Sequence, residues 1–237
     1  MSSKPLSASD TDLKDPNLES IPSSRMAGGF VSSFRAAIAG VLRTIAAQRN
    51  MKVHVLSAQM VMIVGMALPL DVAPRVALLF AVGIVFFAEI LNSALEAFVD
   101  LHVRDYHRLA MMAKDAAAAG VLVLAATTVL VLCEILWTQW DVVTSNIDAV
   151  QRSVMFGVPL VVLEGLGLFF LRRGPLTLLR MLASLCLLVP LVMRTADPIS
   201  AALAIALVLL ACYARWSFPR FPGRGAPRRI PTNPGPA

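Results

Sequence analysis

Long apolar segments separated by short polar connectors fill most of the chain after residue 50. An α-helix needs roughly 20 residues to cross a bilayer core about 30 Å thick. Six segments reach or approach that length, at residues 53–70, 75–99, 116–137, 153–171, 175–193 and 198–214. Lipid offers no hydrogen-bond partner to an irregular backbone, so such segments are expected to be helical. The pattern predicts an all-α, polytopic helical membrane protein.

The segment before the first span has a different pattern. Apolar residues recur at helical spacing over residues 30–45, and Arg35 and Arg43 lie on the other side. This predicts an N-terminal amphipathic helix in the membrane interface. A short, buried seventh helix is the alternative, which the two arginines disfavour.

Composition supports the membrane interpretation. The 237 residues are 57% hydrophobic and 15% charged, whereas a soluble domain is roughly 45–50% apolar and about 25% charged. These values exclude an ordinary soluble globule. Cys133, Cys186 and Cys212 lie in three separate apolar segments, which excludes a disulfide framework and a CxxC-type zinc site.

Four regions are expected along the chain. Residues 1–25 and 217–237 are polar or proline-rich and predict flexible tails. Residues 26–140 form a first membrane domain, with the interfacial helix and three spans. Residues 141–216 add about three further spans.

The basic residues predict the topology. With the N-terminus in the cytoplasm, all but three of the 21 Lys and Arg residues fall on the cytoplasmic side, Arg180 included; the exceptions are Arg75, Arg152 and Arg194. This distribution follows the positive-inside rule. The net charge of +6 is therefore attributed to topology and to anionic headgroups, and no nucleic-acid partner is expected.

The second span carries an unusual polar face. On an ideal helix Glu89, Glu96 and Asp100 lie within about 40° of one another, with Asn92 about 60° to one side. Acids inside a membrane are costly and usually functional, although hydrogen bonding between helices or a position near the headgroups is the alternative. Glu89 and Glu96 are about 10.5 Å apart along the axis, too far to share a proton. Glu89 is therefore a candidate general base and Glu96 a candidate Mg²⁺ ligand.

A second polar cluster follows at the cytoplasmic end of this span. The connector over residues 102–108 leads to Lys114 and Asp115 at the start of the third span. Lys114 could hold a phosphate group, and Asp115 a metal ion or a ribose hydroxyl. His102 and His107 lack the i,i+4 spacing of a helical zinc pair. Neither GxxxxGK[ST] nor GxGxxG occurs.

These motifs resemble a known family, the prokaryotic-type diacylglycerol kinases and undecaprenol kinases. The run Glu-Ile-Leu-Asn-Ser-Ala-Leu-Glu-Ala-Phe-Val-Asp over residues 89–100 is similar to the family signature, and Ala-Lys-Asp-Ala-Ala-Ala-Ala over residues 113–119 to its second block. Phe34, Gly40 and residues 49–54 resemble the family's surface helix. The resemblance covers roughly residues 30–137.

The resemblance implies a role for each matching residue. Glu89 is the general base on the lipid hydroxyl, Asn92 positions substrate or phosphate, and Glu96 binds the metal carried by ATP. The positions that match the nucleotide contacts are Asp100, Tyr106, His107, Lys114 and Asp115. Gln48 occupies the position of a second metal-binding glutamate, so the metal site has one negative charge fewer.

The resemblance also implies the activity and its setting. The family uses MgATP to phosphorylate a membrane alcohol at the cytoplasmic face of the bacterial inner membrane, and it forms homotrimers with active sites between subunits. The Glu-Ile-Leu-Asn-Ser-Ala segment favours diacylglycerol, with undecaprenol as the alternative substrate.

Two other classes stay open. The first is a non-catalytic membrane scaffold, which the replacement of the metal-binding glutamate by Gln48 would favour. A transporter with a proton path through Glu89, Glu96 and Glu164 is the other, but it predicts inverted repeats and broken helices, which the sequence does not plainly show. Glu164 is an intramembrane acid flanked by Gly165 and Gly167 and receives no role.

Overall fold

The computed structural model describes residues 29–103, 106–170, 175–195 and 197–217. Within these ranges 91% of the residues are helical. The predicted tail over residues 1–25, nearly all of the tail over 217–237, and the basic residues Arg104, Arg172 and Arg173 lie outside the described residues.

Each predicted span falls on one helix, and the interfacial segment forms a helix as well. One short helix between the third and fourth spans was not predicted. In chain order the helices are α1 Phe30–Ala47, α2 Arg49–Ala67, α3 Val72–His102, α4 Arg108–Thr138, α5 Trp140–Ser145, α6 Ile147–Phe169, α7 Pro175–Val192 and α8 Pro198–Ser217.

Local chemistry explains several helix boundaries. Gln48 adopts an extended backbone, with φ −88° and ψ 129°, and so separates α1 from α2. Pro175 and Pro198 occupy the first helical position, where proline costs no hydrogen bond. Asp197 caps α8, because its carboxylate accepts hydrogen bonds from the Ile199 backbone N–H at 3.1 Å and from the Ser200 hydroxyl.

The chain is a polytopic helical membrane protein. Five helices in the described part of the chain are long and apolar enough to cross a bilayer, namely α1, α3, α4, α6 and α7, and α8 holds a shorter apolar stretch at Pro198–Ala214. The helix α2 falls outside this group because Asn50, Lys52, His54 and Gln59 reduce its apolarity. The interfacial position of α1 stays a prediction.

The chain divides into two compact units at Gly40, inside α1. The described part of the first unit is the beginning of α1, where the Ser32 hydroxyl donates to the Gly29 carbonyl at 2.7 Å. The rings of Phe30 and Phe34 stack there with centroids 6.5 Å apart. The second unit holds Val41 onward. The predicted domain boundaries near residues 140 and 216 stay predictions.

Within the second unit α2 is surrounded by four other helices. It packs against α3, α6, α7 and α8, while α3 packs against α4. Many side chains of α2 are buried, including Met51, Val55, Met62 and Met66, and the exposed Val53, Ser57 and Met60 lie along one face. A helix enclosed in this way needs no single apolar face, which explains why its sequence lacks a clear amphipathic pattern.

The register of α2 against the added helices is set by small residues. Ile63 packs on Gly157 of α6, and Leu56 packs on Gly165 of the same helix. Gly65 of α2 lies against Ser200 of α8. The two contacts with α6 run in opposite chain directions, so α6 is antiparallel to α2. All three contacts follow the rule that small residues bring membrane helices close together.

A buried ion pair lies inside the group formed by α6, α7 and α8. Arg180, which the charge distribution assigns to the cytoplasmic side, is only 3% exposed. Its Nη1 lies 2.8 Å from Oε2 of Glu164, which also accepts a hydrogen bond from the Ser184 hydroxyl at 2.6 Å. Arg180 is buried because a glycine at position 167 leaves room for its guanidinium group.

Candidate functional site

The polar face of α3 runs from the interior of the protein to its surface. Glu89 and Asn92 are buried, at 1% and 5% exposure, Glu96 is half-buried and Asp100 is exposed. The opposite face carries Leu91 and other apolar side chains that are exposed. The helix therefore buries Glu89 and Asn92 inside the protein and leaves the apolar side chains of the opposite face on its surface.

Glu89 and Asn92 retain unused hydrogen-bonding capacity. Asn92 Nδ2 donates to Oε1 of Glu96 at 3.4 Å. Among the described residues, Glu89 Oε2, Asn92 Oδ1 and the hydroxyl of Ser93 have no hydrogen-bond partner although all three atoms are buried. Leaving such groups unpaired is costly. A cluster of unsatisfied polar atoms on one helix therefore favours a site that receives a polar group from a ligand.

Lys114 and Asp100 form an ion pair between the end of α3 and the first turns of α4. Both side chains are partly exposed, at 29% and 44%, so the pair contributes little to stability. The structure thus brings together two residues that were predicted separately as nucleotide contacts. It places a cation next to the exposed end of the acidic face.

The remaining predicted residues lie near the same end of α3 and α4 or before α2. Tyr106 is 81% exposed, and His107 precedes α4 without a side-chain capping bond. Asp115 is exposed on the first turns of α4. Gln48 is half-buried at the start of α2 and makes no side-chain capping bond. Their roles stay predictions.

The residues present fit a magnesium ion that arrives with its nucleotide. In the described part of the chain no three His, Cys, Asp or Glu side chains come close enough to hold a metal ion. Mg²⁺ is commonly held by one or two carboxylates together with substrate phosphates. Glu96 can provide such a carboxylate, and the Gln48 amide oxygen would be a neutral second ligand.

An apolar groove of about 320 Å³ lies beside this face, enclosed by α2, α3 and α4. We call it the α3 groove; Val82, Val85 and Phe86 line it from α3. Phe86 is three residues before Glu89, so the groove begins about one helical turn from the buried carboxylate. Sequence reasoning did not predict this groove because its walls come from three different helices.

Two polar side chains in the α3 groove also escaped prediction as site residues. His54 and Ser57 of α2 line the groove and are three residues apart, on one side of the helix. Thr128 of α4 lines it as well, but its hydroxyl already donates to the Leu124 carbonyl at 2.9 Å. The sequence signal that could have identified His54 and Ser57 is a pair of polar residues inside an otherwise apolar predicted span.

The arrangement can bring a hydroxyl group and a phosphate group together. A carboxylate with a free oxygen about one helical turn from an apolar groove can accept a proton from an alcohol whose tail lies in the groove. Glu96 and Lys114 lie farther toward the exposed end of the same face, where charged phosphates remain in contact with water.

Comparison with known proteins assigns the family. The family model described as prokaryotic diacylglycerol kinase matches residues 35–136. The Bacillus subtilis undecaprenol kinase is 38% identical over 96 residues, which are 40% of this chain and 78% of that protein. The Synechocystis diacylglycerol kinase is 39% identical over 108 residues, 45% of this chain and 62% of the relative.

A third relative, the diacylglycerol kinase of Escherichia coli K12, is 41% identical over 73 residues, 31% of this chain and 60% of the relative. The match to the two diacylglycerol kinases thus spans a little under two thirds of their length. No solved structure matches the chain significantly. The match to the undecaprenol kinase spans most of that protein, and the family model covers α2, α3 and nearly all of α4: the chain belongs to the prokaryotic diacylglycerol kinase family.

Proposed function

We propose that the protein is an integral-membrane lipid kinase that transfers the γ-phosphoryl group of MgATP to the hydroxyl of a lipid alcohol. One observation carries the proposal. The buried carboxylate of Glu89 has an unpaired oxygen and lies about one turn from an apolar groove, and the same helix face continues to Glu96 and the Asp100–Lys114 pair.

The proposed reaction assigns the proton and the phosphoryl group. Glu89 accepts the proton of the lipid hydroxyl while the alcohol oxygen bonds to the γ-phosphorus. The bond between that phosphorus and the bridging oxygen breaks, and ADP leaves. Magnesium, when bound with ATP, offsets the charge of the phosphates, and Glu96 would hold it with Gln48 as the second ligand.

The other residues orient the reactants. Asn92, next to Glu89 on the helix face, positions the hydroxyl or the γ-phosphate through its free Oδ1 or its Nδ2. Lys114 exchanges its pairing with Asp100 for a phosphate contact, while Asp115, Tyr106 and His107 contact the nucleotide. Since ATP is a cytoplasmic substrate, the end of α3 that carries Asp100 faces the cytoplasm, and the positive-inside distribution supports the same orientation.

Diacylglycerol is the first candidate substrate, because residues 89–94 favour it and two of the matched relatives are named diacylglycerol kinases. Undecaprenol is the second candidate, because a relative of that activity matches over most of its length. The bacterial inner membrane is the proposed location, and a homotrimer with active sites between subunits is the proposed assembly.

The test is phosphoryl transfer by the purified full-length protein in detergent micelles, with labelled ATP and each alcohol. We expect Glu89→Gln to lower kcat at least 100-fold, since general-base catalysis typically contributes about 10²–10⁴-fold. Glu134→Gln is the matched control, because Glu134 is an exposed acid on α4. Equal rates for Glu89→Gln and the wild type would remove Glu89 from the chemistry, and no turnover in the wild type would favour a scaffold.

A further inference from the structure

The hydroxyl group of Ser93 on α3 is buried and has no hydrogen-bond partner, and it is the one hydroxyl group in that condition among the described residues. A hydroxyl group in a helix can donate to the backbone carbonyl four residues earlier. Four threonines of this chain do so, at distances of 2.8 to 3.1 Å: Thr127, Thr128, Thr138 and Thr144. Ser93 does not use the equivalent carbonyl of Glu89. Its hydroxyl group therefore remains available to another molecule.

Keeping the Ser93 hydroxyl group unpaired lowers the stability of the protein. A buried polar group without a hydrogen bond is destabilising, and alanine would avoid that cost with a better helix propensity. Packing of the described helices does not require the oxygen, because no described group bonds to it. A buried, unpaired donor on the acidic face of α3 therefore favours a contact that forms when a substrate binds.

Three unpaired atoms lie on this part of α3, and only one of them can donate a hydrogen bond. Glu89 Oε2 and Asn92 Oδ1 are acceptors, whereas the Ser93 hydroxyl group can donate. The amide nitrogen of Asn92 already donates to Glu96. The two acceptors suit the O–H group of an alcohol. The oxygens of a phosphoryl group are themselves acceptors and need the donor.

Ser93 also lies at a suitable level along the helix. On an ideal helix it is about 6 Å from Glu89 and about 4.5 Å from Glu96 along the axis, and within about 60° of both around it. In the proposed reaction Glu89 receives the alcohol and Glu96 holds the magnesium ion with the phosphates. In-line transfer places the γ-phosphoryl group between the alcohol oxygen and the departing ADP, which is the level of Ser93.

We propose that the Ser93 hydroxyl group donates a hydrogen bond to a non-bridging oxygen of the transferring γ-phosphoryl group. The inference rests on the proposed kinase activity and adds a residue to its site. Ser93 keeps its proton throughout, and Glu89 takes the proton of the alcohol. The hydrogen bond is strong because its acceptor is charged, and it holds the phosphoryl group in line with the attacking oxygen.

The variant Ser93→Ala separates this role from a structural one. It should lower kcat/KM for MgATP about 10–100-fold, the rate equivalent of one hydrogen bond to a charged group, and leave KM for the lipid alcohol unchanged. Its Tm should equal or exceed that of the wild type, because an unpaired buried hydroxyl group is removed. Thr127→Ala is the matched control and should leave the kinetics unchanged, since Thr127 is exposed on α4 and its hydroxyl group already donates to the Val123 carbonyl.

Nucleotide binding tests the same contact without turnover. Equilibrium titrations compare the magnesium complex of the non-hydrolysable imido analogue of ATP with MgADP, which lacks the γ-phosphate. Ser93→Ala should raise Kd for the analogue about tenfold or more and leave Kd for MgADP unchanged. If this difference holds but the wild type phosphorylates no alcohol, the proposed function fails and the γ-phosphate contact stands.

Four results would overturn the inference. The first is an unchanged kcat/KM for MgATP together with an unchanged Kd for the analogue in Ser93→Ala. The second is an equal rise of Kd for both nucleotides, and the third is a raised KM for the lipid alcohol at an unchanged kcat/KM for MgATP. The fourth is a Tm below that of the wild type, which would show that the hydroxyl group is paired within the protein. A wild type that binds neither nucleotide would overturn the inference together with the proposed function.

Discussion

Replacing Glu164 by leucine should strongly destabilise the group of helices α6, α7 and α8. Its carboxylate is fully buried, pairs with Arg180 at 2.8 Å and accepts a hydrogen bond from Ser184 at 2.6 Å. Without it the guanidinium group stays buried; its Nη2 still reaches the thiol of Cys212 at 3.3 Å. Gly167, against which the group is packed, leaves it no space to move on that side.

The expected magnitude follows from the cost of an uncompensated buried charge. Breaking a buried ion pair by removing one partner costs about 3–5 kcal/mol. For a protein of this size that corresponds to a fall in Tm of about 6–20 °C. Arg180→Leu should cost about as much, because it leaves the Glu164 carboxylate buried without its cation.

The double variant distinguishes charge pairing from packing. Glu164→Leu with Arg180→Leu removes both charges and restores apolar volume, which is often neutral or stabilising for buried pairs. It should therefore be more stable than either single variant. Ser184→Ala removes one hydrogen bond and no charge. It should cost about 1.5–3 kcal/mol, the net value of a hydrogen bond to a charged group, and so less than either single charge variant.

Thermal unfolding in detergent micelles, followed by tryptophan fluorescence, measures all four variants. The reasoning is refuted if the double variant is as unstable as the less stable single variant. In that case shape complementarity around Gly167 would hold the helices together. Single variants within 1 °C of the wild type would equally refute it.

Three further changes test separate parts of the structure. Gln48→Glu should lower the Mg²⁺ concentration needed for half-maximal turnover, because it adds a carboxylate to the proposed metal site. An unchanged Mg²⁺ titration would place Gln48 outside that site. Asp197→Ala should destabilise the protein by about 1–2 kcal/mol in thermal unfolding, because α8 loses its N-terminal cap. It also removes the carboxylate 3.5 Å from the Arg75 Nε. Asp197→Asn should keep the cap and lose only the ion pair. Gly157→Ala should lower Tm, since the new methyl group would lie 2.7 Å from an Ile63 carbon, while Gly83→Ala, with no atom within 4 Å, should not.

The hydrophobic pattern was sufficient to predict the helices but not their neighbours. Each predicted span coincides with one helix, since an apolar run of that length has few other solutions in a membrane. The helix α2, predicted as the first span, is not among the described helices that are long and apolar enough to cross one. The short helix α5 was missed since six residues, Trp140–Ser145, carry little periodic signal. The central position of α2 was also missed, because enclosure by four helices depends on contacts such as Ile63 with Gly157, which no local pattern encodes.

Along α3 the sequence predicted the polar face well. Helical geometry alone places Glu89, Asn92 and Glu96 on one side, and the structure buries the first two and half-buries the third. The α3 groove was not predictable in the same way. Its polar residues His54 and Ser57 belong to α2, and their proximity to Phe86 is a property of helix packing rather than of any one segment.

The buried ion pair between Glu164 and Arg180 could not be predicted by counting charges along the sequence. Arg180 lies within six residues of the end of a connector, so the positive-inside rule assigned it to the cytoplasmic side together with Arg172 and Arg173. The rule counts charges near the ends of spans and contains no term for a partner on another helix. Glu164 was recognised as an intramembrane acid, and a buried acid of this kind calls for a nearby cation. Because α6 and α7 are joined by a short connector, they are expected to pack as antiparallel neighbours. A search along α7 for a basic residue at the level of Glu164 would have led to Arg180.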